Sequence, residues 1–88
     1  MDEHERRVKA TFVKGDAIPS FPAKLSRQII LWRWVVERFE VGRGYPEPEL
    51  NELLKPINPD VATVRRALVD HGLMTRQGGV YRRVGDPV

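Results

Sequence analysis

Apolar residues recur at helical spacing through most of the chain and alternate only near its end. Val8 and Phe12 are four apart in a charged segment, which predicts a short helix over about 3–13. Gly15-Asp16 is a turn, and Ala17-Ile18 a brief strand before Pro19, which favours extended geometry in the residue it follows. Leu25, Ile29, Trp32, Val36 and Phe39 step by four, three, four and three. They mark one stripe of the longest helix, which starts at Pro22 or Ser26 and ends near Phe39. Leu31 and Val35 broaden that stripe. Ile30 and Trp34 lie on the opposite side, so another element must cover them. The N-terminal helix is the local candidate and a second subunit is the other.

Gly42 and Gly44 break the long helix, and Tyr45-Pro46 is extended. Glu47 to Leu54 then reads as a short helix with proline in its first turn, where it is tolerated. Leu50, Leu53, Leu54 and Ile57 are its apolar set. A tight connection, Lys55 to Pro59, leads into the helix around which the chain is organised. Asn58 is suited to its N-cap, Pro59 to its first position and Gly72 to its left-handed stop. Val61, Val64 and Leu68 form its stripe, widened by Ala62 and Val69. On a wheel of about 100° per residue, Arg65 falls inside the apolar arc. Thr63, Arg66 and Asp70 fall on the far side. The two adjacent arginines therefore have different roles. Arg65 is half-buried and needs a carboxylate, because an unpaired buried charge is costly. Glu47 and Glu49 are the available partners. Arg66 either pairs with Asp70 on the surface or meets a ligand.

The period changes after Gly72. Leu73 to Arg76 and Val80 to Val84 are strands around Gln77-Gly78-Gly79, a hairpin turn. Val80, Arg82 and Val84 share one face, and Tyr81 and Arg83 share the other. The element order predicts an α+β fold, a small winged helix-turn-helix domain with about four helices and a C-terminal two-stranded β-hairpin wing. Residues 1–88 make a single domain, with a core over about 8–84 and frayed ends at 1–7 and 85–88.

Composition narrows the function classes. There is no cysteine, hence no disulfide frame and no thiolate chemistry. No apolar run approaches the roughly 18 residues of a membrane span, and no signal peptide is evident. A cytoplasmic location without membrane contact is expected. Charge is unevenly placed. Residues 1–60 hold ten Lys/Arg and ten Asp/Glu, whereas residues 61–88 hold five arginines against Asp70 and Asp86. The whole excess of +3 lies in the last helix and the strands, which suggests a polyanion partner. An ordinary solvated, salt-bridged face is an equal alternative.

Four runs appear in order: Pro22-Ala23-Lys24, Tyr45-Pro46-Glu47-Pro48-Glu49-Leu50-Asn51, Asp60-x-x-Thr63-Val64-Arg65-Arg66-x-Leu68-Val69-Asp70 and Gly79-Val80-Tyr81-x-Arg83. Together, over about residues 12–83, they resemble a prokaryotic family catalogued as domain of unknown function 2087. The Arg-Arg-x-Leu-Val-Asp run is the most specific part. That family occurs alone and attached to helix-turn-helix regulators, so the resemblance implies a link to transcription regulation. Pro46 departs from the serine or threonine usual there, which removes a hydroxyl cap for the short helix.

Two readings follow. In the first the domain binds duplex DNA. Thr63 and Arg66 face the major groove, and Arg82 or Arg83 reaches phosphate from the wing. Asp60 and Asp70 oppose this by repelling the backbone. In the second the same fold is a protein-interaction module, and Ile30, Trp34 and the acidic 47–52 face make a homodimer or partner contact. An enzyme is not expected. His4 lies at the terminus and His71 at a helix end, with no nucleophile–base set, metal cluster or phosphate-binding glycine motif. No cofactor or metal is implied.

Overall fold

A computed structural model describes residues 2–85. The elements are α1 (Glu3–Phe12), α2 (Leu25–Val36), β1 (Gly44–Pro46), α3 (Glu47–Leu54), α4 (Val61–Asp70), β2 (Met74–Gln77) and β3 (Val80–Arg83). The fold is α+β, with four helices and a three-stranded antiparallel sheet in the order β1-β3-β2.

Helix α1 begins within the segment expected to fray. Asp2 Oδ1 accepts from the Glu5 N–H at 2.8 Å, Glu3 and Glu5 lie at the positive end of the helix, and Glu3 pairs with Arg7. Ala17-Ile18 forms no named strand; a single bridge joins Lys14 to Ala17. Of the loose tail expected over 85–88, residues 86–88 lie outside the described residues.

Helix α2 is central, but its inner line is shifted from the expected stripe. Leu31 and Val35 are wholly buried, Trp32 and Val36 nearly so, and Leu25 is 69% exposed. Leu25 is the first residue of the helix. The packing of α1 on α2 buries Ile30 and half-buries Trp34 within one chain. No second subunit is needed to cover Ile30. The Trp32 indole is buried beside Phe21, and its N–H meets no acceptor among the described residues.

Expectation and structure also part at the sheet. Gly44–Pro46 pairs with β3, placing Tyr45 opposite Tyr81, so the hairpin is two-thirds of a sheet rather than a free two-stranded wing. Three residues that include a glycine and a proline carry no alternation to read. Gly44 has a steric reason: a Cβ there would lie 2.8 Å from the Arg82 guanidinium and 2.9 Å from Val80. The β2–β3 turn is Gly78-Gly79, with φ of 58° and 76°. Positive φ at both central residues is what a tight hairpin turn of this hand requires.

The start of α4 also differs from expectation. Asn58 is not its cap. The buried Asn58 amide donates to the Ile18 carbonyl at 2.8 Å, and its Oδ1 accepts from the Asp60 N–H. Asn58 therefore ties the loop after α1 to the α3–α4 connection. Asp60 caps α4 instead, accepting from the Thr63 N–H. Val64 and Leu68 are wholly buried in one core with Leu50 and Leu54 of α3 and Leu31 and Val35 of α2, the two helices that α4 packs on.

Candidate functional site

Helix α4 lies over the inner face of the sheet, and its two arginines diverge as the wheel predicts. Arg65 turns inward. Its Nη1 donates to Asn51 Oδ1 at 2.6 Å, and its Nε lies 3.4 Å from Glu47 Oε1. The same Glu47 oxygen accepts from the Tyr81 hydroxyl at 2.8 Å. One carboxylate thus joins α3, α4 and β3. Glu47, rather than Glu49, is the partner of Arg65; Glu49 pairs with Arg43 at 2.7 Å.

Arg66 turns outward and is exposed. No ion pair links it to Asp70, although both stand on one side of α4. Strand β2 supplies a second cation. Arg76 is paired across the ladder with Tyr81, so their side chains share a face, and its guanidinium lies 5.9 Å from the Tyr81 ring centroid. Arg65, Arg66, Val69, Asp70, Arg76 and Tyr81 line a cleft of about 220 Å³ between α4 and the hairpin. Among the described residues neither Arg66 nor Arg76 has an ion-pair partner. Two guanidiniums without ion pairs thus stand beside a third that is anchored, with Asp70 in the same cleft and Asp60 near Arg66.

The sequence-predicted residues do not converge as expected. Thr63 is exposed at the start of α4, but its hydroxyl donates to Asp60 Oδ2 at 2.6 Å. The hydroxyl and the Thr63 N–H hold the Asp60 carboxyl below its ordinary range, and nearby Arg66 adds to the effect. Arg82 stands on the outer face of the sheet, over Gly44, away from α4. Arg83 alternates to the inner side, where it donates to the Phe39 carbonyl at 3.1 Å. Neither Arg82 nor Arg83 shares the cleft with Arg66. Arg76 does, and sequence reasoning passed it over. The signal was there in outline: two residues on either side of a two-residue turn place Arg76 opposite Tyr81.

A larger cavity, of about 420 Å³, lies between α2, the loop after α4 and the end of β3. Its charged groups are Arg33, Glu37 and Arg83, of mixed sign, and Arg83 is already engaged. Among the described residues no group of three His, Asp or Glu is placed to hold a metal ion. No helix among them is long and apolar enough to cross a membrane.

No curated protein and no solved structure matches the chain. The model of a bacterial family described as "uncharacterized protein conserved in bacteria", DUF2087, matches residues 17–83. That span covers all of the sheet, α2, α3 and α4 with its cleft, and the chain belongs to this family.

Proposed function

We propose that the domain binds duplex DNA through the exposed side of α4 and the adjoining hairpin. One observation carries the reading: Arg66 and Arg76 converge on a single cleft, and neither has an ion-pair partner among the described residues. The order α2-β1-α3-α4-β2-β3 supports it, because it is the order of a winged helix-turn-helix. In that plan α4 is the recognition helix and β2–β3 the wing. In this reading Arg76 neutralises a backbone phosphate, while the side of α4 bearing Thr63, Arg66 and Asp70 faces the groove. Asp60 counts against the reading, since the hydrogen bonds from Thr63 favour its ionised form. Transcription regulation is the accompanying biological role.

The alternative, a protein-interaction module, keeps the half-buried Trp34 as its support but not Ile30. Ile30 is buried within the chain. The acidic residues of α3 are each paired, Glu47 with Arg65, Glu49 with Arg43 and Glu52 with Lys55.

The test is fluorescence anisotropy of a labelled duplex across a salt series. Wild type should bind with a steep salt dependence. The double change Arg66→Ala, Arg76→Ala should weaken binding and lower the slope by about one, for the phosphate contact of Arg76. Arg82→Ala should leave it unchanged, because Arg82 lies on the other face of the sheet. No binding by wild type at low salt, or an unaltered slope in the double variant, refutes the reading.

A further inference from the structure

Asp70 is the feature of the cleft that phosphate binding does not explain. Asp70 lines the same cleft as Arg65, Arg66 and Arg76 and is ion-paired to none of them among the described residues. It would repel a phosphate brought to the same place. The residue is exposed at the last position of α4, so the fold does not need it as a buried acceptor. An acceptor left free beside free donors fits a ligand edge that offers both.

We infer that Arg66 and Asp70 read a G·C step in the major groove, Arg66 taking guanine and Asp70 taking the amino group of cytosine. The inference rests on the duplex reading above. The chemistry is selective at both positions. Guanine presents two acceptors, O6 and N7, which match the two donors of a guanidinium. Cytosine presents the N4 amino donor and no acceptor beside it, which suits a carboxylate. Adenine also carries an amino donor, but its adjacent N7 acceptor would face the Asp70 carboxylate. Thymine offers a carbonyl acceptor and a methyl group, and neither pairs with a carboxylate.

The spacing agrees. Residues four apart on a helix are separated by about 6 Å along its axis and lie on one side. Successive bases on a strand are about 3.4 Å apart, so the two side chains fall on neighbouring or next-neighbouring pairs. Arg76 comes from the hairpin rather than from α4 and so remains on the backbone, where it adds affinity without adding sequence preference. Asp70 then has two effects. It lowers affinity for any duplex through repulsion, and it restores affinity only where an amino group meets it.

The experiment is selection of the wild-type chain on duplexes with a randomised core, followed by anisotropy on the enriched duplex and on the same duplex with the enriched pairs replaced by A·T. The expected result is a core enriched in a guanine and, one or two pairs away, a cytosine, bound about tenfold more tightly than its A·T counterpart. Asp70→Ala should keep the guanine preference, lose the cytosine preference and bind the A·T duplex more tightly than wild type does. Arg76→Ala should weaken both duplexes alike and keep their ratio. Equal affinity of wild type for both duplexes overturns this inference while the duplex reading stands. An unchanged cytosine preference in Asp70→Ala overturns it as well. Binding to neither duplex at low salt overturns the duplex reading and this inference together.

Discussion

The edge formed by α1 and α2 and the edge formed by α4 and the hairpin are both rich in arginine, and they treat it differently. On the first edge Arg7 pairs with Glu3, and Arg38 pairs with Asp16 while lying 3.9 Å from the Trp34 ring centroid. Glu5 and Glu37 stand close by, lining the cleft with Ile30 and Trp34. On the second edge Arg66 and Arg76 share a cleft with Asp70, Asp60 lies near Arg66, and neither arginine has an ion-pair partner among the described residues. Arginine content alone does not tell a binding edge from a solvated one. What differs is whether cations without an ion pair point at a common space, because Arg6, Arg27 and Arg33 on the first edge also have no ion-pair partner among the described residues.

Arg65 gives the largest way to break this comparison, because it lines the open cleft yet is held like the cations of the other edge. Arg65→Ala should destabilise the fold by about 2–3 kcal/mol by orphaning Glu47 and Asn51. The value lies below that of a fully buried pair because the Glu47 side chain is 37% exposed. Arg66→Ala should change stability by no more than about 0.5 kcal/mol, as an exposed group without an ion pair. Urea melts of the two variants decide it; equal midpoints would place both arginines in the same class.

Arg38→Ala should have a smaller effect, of about 0.5–1 kcal/mol, from the lost contact with Trp34. Its pair with Asp16 adds little, since the Asp16 side chain is 91% exposed. The variant should retain wild-type affinity for duplex DNA. A loss of affinity matching that of Arg66→Ala would mean that the α1–α2 edge also meets the ligand and would erase the contrast.

The smallest effect concerns acid. Hydrogen bonds from Thr63 depress the Asp60 carboxyl, so this group stabilises the fold above its unfolded-state value. That contribution is lost as pH falls through the lower folded-state value. Asp60→Asn keeps a capping oxygen but cannot titrate. Thermal melts between neutral pH and the carboxylate range should show a shallower acid decline for the variant. Parallel declines would indicate that the cap does not depend on charge.

Much of this protein was legible in its sequence because the signals were local. Helical spacing gave α1 to α4 to within a few residues, since one buried face imposes a period of 3.6. The glycine pair at 78–79 gave the hairpin, because only glycine readily takes positive φ twice in succession. The wheel separated Arg65 from Arg66, and the need to pair a half-buried cation led to a carboxylate at 47 or 49. Tertiary structure decided the rest, because those choices depend on residues distant in sequence. Asn58 was drawn away from the helix cap by the Ile18 carbonyl, forty positions earlier. Tyr45 joined the sheet through β3, a pairing that a three-residue strand cannot announce. Arg83 was taken by the Phe39 carbonyl and Arg82 turned to the outer face, whereas Arg76 was carried to the cleft. The sequence determined where positive charge accumulates. Only the packing of α4 on the sheet determined which arginines remain unpaired, because pairing follows distance in space rather than order along the chain.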